Sequence, residues 1–140
     1  MHTLKSIVGL LLAGSLVLTG LDAAAATPAE ILKRFDATAR AGAAGFSGFS
    51  AERGRQFFHA THGNDWSCAS CHTPNPAAGG KHAKTGKEIA PLAPAANPQR
   101  FADTAKVEKW FDRNCKDVLS RVCTVQEKGD VLAYLMSIKK

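Results

Sequence analysis

The chain has 140 residues, 45% of them hydrophobic and 21% charged, with 18 Lys+Arg against 12 Asp+Glu. That balance excludes a disordered or fibrous protein, and the length holds one domain rather than two. Four cysteines are too few for a disulfide-dense scaffold, so their spacing must be read for chemistry.

His2 and Lys5 precede an apolar run from Ile7 to Leu18, and Ala23 to Ala26 follows with A-x-A sites. This is the layout of a secretory signal peptide over 1–26, cleaved near Ala25 or Ala26, with 27–140 as the mature domain. As an uncleaved anchor the run falls short of the roughly 20 residues that a span needs. The expected location is periplasmic, an oxidising compartment for the cysteines. Cleavage removes Lys5 and Asp22 together, so the formal charge stays at +6. Such a compartment holds little nucleic acid. The excess of base then serves an acidic protein partner, an anionic membrane surface, or plain solubility.

Thr27-Pro28-Ala29-Glu30 reads as a capping box with proline at the first helical position. Ile31, Leu32, Phe35 and Ala39 then share one helical face. Ala41 to Phe49 is a Gly/Ala/Ser-rich loop, with Phe46 and Phe49 available to a core. Ser50 caps a second helix over about 51–61, which carries Phe57 and Phe58. Prolines and glycines from Pro74 to Pro98 make the middle irregular, with no convincing strand. A third helix begins at Asp103 or Thr104 and runs to about Lys116. Thr124-Val125-Gln126-Glu127 is a further capping box, opening a helix to about Ile138. Its stripe is Leu132, Leu135 and Ile138, with Tyr134 at the edge. The expected fold is all-α, with a long loop crossing its middle. Such a loop in a small domain wraps something.

Cys68-Ala69-Ser70-Cys71-His72 is C-x-x-C-H, the attachment sequence of c-type haem. Two thiols on one turn form thioethers to the two vinyl groups, and the adjacent histidine reaches the iron. A thioredoxin-like pair would want a βαβ surround, and a zinc site a second ligand pair, which Cys115 and Cys123 fit poorly. The motif therefore points to one covalent haem c.

The other face of the iron lacks an obvious ligand. Besides Met1 the methionine is Met136, in the last turn of the terminal helix, so the loop methionine of ordinary class I carriers is missing. His59, His62, His82, a lysine, another oxygen or nitrogen donor, or no ligand remain. On the third helix Val107, Trp110, Phe111 and Asn114 fall on one face, suited to core or haem packing. Asn114 by itself reads first as a helix C-terminal residue and only second as a ligand. Cys115 and Cys123 are expected to form a disulfide in this compartment, contributing about 2–3 kcal/mol.

Thr85-Gly86-Lys87-Glu88-Ile89-Ala90-Pro91-Leu92-Ala93-Pro94 resembles the sphaeroides haem protein (SHP) family of monohaem cytochromes c. So do Asn97-Pro98-Gln99-Arg100-Phe101, Val107-Glu108-Lys109-Trp110, Arg113-Asn114-Cys115, and Cys123 with the helix from Glu127 to Leu135. The likeness runs from about Ala51 to the C-terminus, and is loose over 27–50 and 73–84. It implies a class I cytochrome c-like helical fold around one covalent haem, with an extra N-terminal helix. It also implies Asn114 as sixth ligand opposite His72, released on reduction so that O2, NO or CO can bind. A Cys115–Cys123 disulfide, a dihaem cytochrome c as electron donor and a membrane cytochrome b nearby complete the implied picture.

Residue chemistry agrees with the implied ligand. An amide is a hard, weak donor, suited to ferric and poorly suited to ferrous iron. Val107, Trp110 and Phe111 would make the distal site apolar, with the freed Asn114 amide as a hydrogen-bond donor to O2. The competing reading is a plain electron carrier with a permanent sixth ligand, Asn114 or His82. A gas sensor would want an output domain and ranks last. O2 or NO reduction would need proton delivery, and no acid is placed for it, so no catalytic residue is assigned. Lys81, Lys84 and Lys87 form a basic cluster, a docking surface or a solvated face. Arg100 and Arg113 are candidates for the haem propionates.

Overall fold

The structure, a computed structural model, describes residues 25–139; the signal-peptide reading to residue 24 lies outside it. Elements follow in the order α1 (Pro28–Gly42), α2 (Ala51–His59), α3 (Ala69–His72), β1 (Gly80–Lys81), β2 (Glu88–Ile89), α4 (Thr104–Leu119) and α5 (Val125–Ser137). The fold is helical, and no described helix is long and apolar enough to cross a membrane.

Local chemistry starts each long helix where the sequence indicates. Thr27 and Thr124 form complete capping boxes with Glu30 and Glu127, while Ser50 and Asp103 cap α2 and α4. The helix ends differ from expectation. Helix α2 stops at His59, whereas α4 runs to Leu119, past the Cys115 that is buried in its last turns. The middle segment is also more ordered than its prolines predict. β1 and β2 pair antiparallel, Gly80 with Ile89 and Lys81 with Glu88, and Leu92 and Ala93 both donate to the Pro76 carbonyl.

The core is built on the crossing of α2 and α5, with α1 packed against α5. Ile31, Phe35, Phe58, Val107, Val131, Leu132 and Leu135 bury their side chains there. Tyr134, expected at the edge of its stripe, is buried with them. Gly54 is where α2 and α5 come closest, since a Cβ on it would overlap the Asp130 carbonyl. Asp130 is itself buried and fully engaged. Its carboxylate accepts from the Ser50 N–H at 2.6 Å, from Arg53 Nε at 2.8 Å and from Gln126 Nε2 at 3.0 Å. One α5 carboxylate thereby fixes the N-terminus of α2, and the charge is paired rather than left alone in the core.

The Thr124 cap gives a modest test. Arg121 hydrogen-bonds Glu127, and together with the Thr124 N–H holds its carboxyl below the ordinary carboxylate range. The folded pKa thus lies under the unfolded one. Stability from Glu127 is present in full above about pH 4.3 and fades as pH falls through the folded value. Thr124→Ala is expected to cost about 1 kcal/mol in a urea melt at pH 7. Equal stability of the two proteins would show that the cap contributes nothing.

Candidate haem site

Helix α3 is a single turn built by serine capping that the sequence reading did not anticipate. Ser67 Oγ accepts from the Ser70 N–H at 3.1 Å, and Ser70 Oγ accepts from the Ser67 N–H at 3.0 Å. The reciprocal pair stands in for the Ser/Thr–Glu box at a helix start. The turn closes with the His72 N–H donating to the Cys68 carbonyl at 3.0 Å. Cys68 and Cys71 therefore share one side of a turn, and His72 follows at once. Directly afterwards Thr73 takes φ 62°, which turns the chain away, and its Oγ1 donates to the Asn75 carbonyl at 2.7 Å.

The β1–β2 hairpin backs this turn. A Cβ at Gly80 would overlap the Cys71 carbonyl, so only glycine allows the hairpin so near. The Ala83 N–H reaches Cys71 Sγ at 3.4 Å, and Lys84 Nζ lies 5.4 Å above the Trp66 ring. His82 is half-buried in the hairpin, where its Nδ1 accepts from the Thr85 N–H at 3.3 Å.

Electrostatics suit haem attachment and disfavour the alternatives. Cys68 and Cys71 are free thiols, while Cys115 and Cys123 are joined in a disulfide with Cα atoms 5.6 Å apart. Burial pushes the Cys68 thiol up to about 12, which disfavours a thiolate metal ligand at that position. Burial, with the Arg100 charge adding to it, pushes His72 down to about 4. A neutral imidazole keeps a lone pair for a metal. Yet among the described residues no group of three or more His, Cys, Asp and Glu side chains could hold a metal ion by itself. The donor set fits an iron that brings four nitrogens of its own, not zinc.

The remaining predicted residues divide between core and surface. Val107 is buried, and Phe111 packs edge-on against Phe35 with ring centroids 6.1 Å apart. Trp110, expected in the same apolar stripe, is instead 47% exposed, with the Arg113 guanidinium 5.1 Å from its ring centroid. Asn114 is exposed, and its side chain makes no hydrogen bond among the described residues. The stripe thus holds a bulky aromatic and a free amide side by side, a face suited to a large flat ligand. Phe58 lies 6.5 Å from the His72 ring and 5.5 Å from Tyr134, giving the histidine an apolar wall. His59 and His62 are turned to other tasks: His59 Nε2 pairs with the Tyr134 hydroxyl, and His62 Nε2 with the Phe57 carbonyl. Arg100 is half-buried near His72, with its guanidinium donating to the Ala90 carbonyl at 3.3 Å and no carboxylate partner among the described residues.

Known proteins resemble the chain over this whole region. Residues 44–135 match a family described as a domain of unknown function, DUF1924. The cytochrome c-type protein SHP of Cereibacter sphaeroides is 45% identical over 113 residues, 78% of this chain and 82% of that protein. The structure of oxidized SHP, an oxygen-binding cytochrome c, superposes with a TM-score of 0.70 at 42% identity, covering 79% of this chain and 96% of that one. The chain belongs to the SHP family of cytochromes c. The solution structure of Methylophilus methylotrophus cytochrome c'', concerned with haem-ligand detachment, superposes at 0.72 with 38% identity, over 81% of this chain and 94% of that one. As an SHP-family cytochrome the protein carries one covalent haem c, and Cys68-Ala69-Ser70-Cys71-His72 is the C-x-x-C-H sequence in the chain.

Proposed function

We propose that this protein is an exported, periplasmic monohaem cytochrome whose Asn114 is a redox-gated sixth ligand opposite His72. The observation that carries the reading is the placement of Asn114. It is an exposed amide with no hydrogen-bond partner among the described residues, next to the disulfide at Cys115 and one turn after Trp110. Haem iron supplies a one-electron couple and an axial position for a small ligand. Asn114 would hold the iron there as a hard, weak donor, suited to ferric and poorly suited to softer ferrous iron. Val107, Trp110 and Phe111 would give that side of the iron apolar neighbours for O2, NO or CO, and the Asn114 amide would be a hydrogen-bond donor for O2. Two relatives support the reading: one is an oxygen-binding cytochrome, the other was solved for ligand detachment.

Electrons come, on this reading, from a dihaem cytochrome c, with a membrane cytochrome b earlier in the path. Lys81, Lys84 and Lys87 are all exposed on the hairpin that backs Cys71, a basic surface for an acidic donor. Absorption spectra of ferric and dithionite-reduced protein, before and after CO, test the gate. A large CO shift of the ferrous Soret band is expected. Low-spin spectra in both states with no CO response would instead mean a permanent sixth ligand, with His82 the candidate, and a plain electron carrier.

A further inference from the structure

We infer that Asn64 is a positioning residue for Asn114, a strut between the haem-attachment loop and the end of α4. The inference rests on the Asn114 reading above and concerns what holds that residue in place.

Helix α4 ends on Ser120, in the left-handed region at φ 61° and ψ 16° where glycine is usual. Its last carbonyls have no partner within the helix. Asn64 supplies partners from another part of the chain. Its Nδ2 donates to the Asp117 carbonyl at 2.8 Å, and its backbone N–H donates to the Val118 carbonyl at 3.2 Å. Its Oδ1 accepts from the Ser120 hydroxyl at 2.8 Å. One asparagine thus serves three groups, two carbonyls of the last turn of α4 and the hydroxyl of its C-cap.

The loop that carries Asn64 is stiff. The His62 N–H donates to the Trp66 carbonyl and the Asp65 N–H to the His62 carbonyl, both at 2.9 Å. The His62 ring stacks on Phe57 with centroids 4.6 Å apart, which anchors the loop to α2. Asp65 also has positive φ, 57°, so two non-glycine residues in left-handed conformations flank this junction. Such residues persist where their surroundings over-determine them. The cap, the loop and the helix end form one joint.

The joint lies between the haem-attachment turn and Asn114. From Asn64 the chain reaches Cys68 in four residues, and from Asp117 it runs back to Asn114 within one helical turn. The Cys115–Cys123 disulfide also fixes this end of α4, but it ties it toward the start of α5. Asn64 is the link toward the attachment turn. With both in place the backbone at Asn114 is held, and release of the ligand is a side-chain rotation rather than a swing of the helix. Losing Asn64 frees the helix end, lowers the ferric occupancy of Asn114 and lets an external anion compete for the iron.

The test uses the full-length holoprotein in the ferric state, with azide as probe and the Soret band as readout, beside a thermal melt. Asn64→Ala is expected to tighten azide binding about three- to tenfold. Ser120→Ala, an exposed change that removes one of the three bonds, shifts it the same way by less. Asn64→Ala added to Asn114→Ala is expected to add nothing, because the group it positions is already gone. Azide affinity that stays at the native value in Asn64→Ala, or in Ser120→Ala should the first variant not fold, overturns the inference and leaves Asn64 as a helix cap. Unchanged affinity in Asn114→Ala itself overturns the ligand reading beneath it.

Discussion

Gly54→Ala is expected to lower the melting temperature by about 5 to 10 °C, read by circular dichroism. The added methyl group falls on the Asp130 carbonyl, a backbone atom of α5 that no rotamer change can move. α2 and α5 must therefore separate. Separation uncovers Phe58, 1% exposed, and Leu132, 0% exposed, and pulls the Asp130 carboxylate from the Ser50 N–H and Arg53. Overpacking of this kind costs about 1–3 kcal/mol, and more when the obstacle is backbone. Alanine opposes the loss with about 1 kcal/mol of better helix propensity. A net loss thus reports the closeness of the crossing rather than a poorer helix. Phe58 lies against His72, so the reduced spectrum should change with the fold. A melting temperature equal to or above the native one would show that the two helices cross less closely than the structure has them.

Asn114→Ala is expected to change the ferric state strongly and the fold hardly at all. An asparagine that occupies the axial position for about 99% of the time weakens an external ligand about 100-fold, by simple competition. Its removal should therefore tighten ferric azide binding by about 10- to 100-fold and move the ferric spectrum. Ferrous CO affinity should stay near the native value, because the native side chain has already left. Stability of the reduced protein should remain within about 0.5 kcal/mol, since there the side chain has left the iron and it makes no hydrogen bond among the described residues; the ferric protein should lose up to about 2–3 kcal/mol, the free energy of that occupancy. Native ferric spectra and native azide affinity in this variant would remove Asn114 from the iron. His82→Ala would then be the variant to make.

Asn64 shows why part of this site was invisible in the sequence. Asn-Asp after a short helix is a turn signal and nothing more. Its partners, Asp117, Val118 and Ser120, follow more than fifty residues later, and no period or spacing connects them. Asp130 is a similar case. On a helical pattern it reads as a solvent-side residue, yet it is 5% exposed because Ser50 and Arg53 come to it from α2. Trp110 shows a limit of helical spacing. Its spacing with Val107 and Phe111 predicts a common environment, but only the other two meet α1 and the core. The β1–β2 hairpin was missed because two paired residues per strand carry no alternation to detect.

Interactions over three or four residues were legible wherever a familiar cap or motif marks them. The caps at Thr27, Ser50, Asp103 and Thr124 start their helices because a side-chain oxygen meets an orphan N–H within one turn. Cys68, Cys71 and His72 share one turn for the same local reason, and that suffices to name the cofactor. Only the tertiary structure decided how close α2 comes to α5 at Gly54, what Asp130 is buried against, and what Asn64 holds. Those outcomes depend on pairs of residues brought together by burial of the shared core, an effect without direction along the chain.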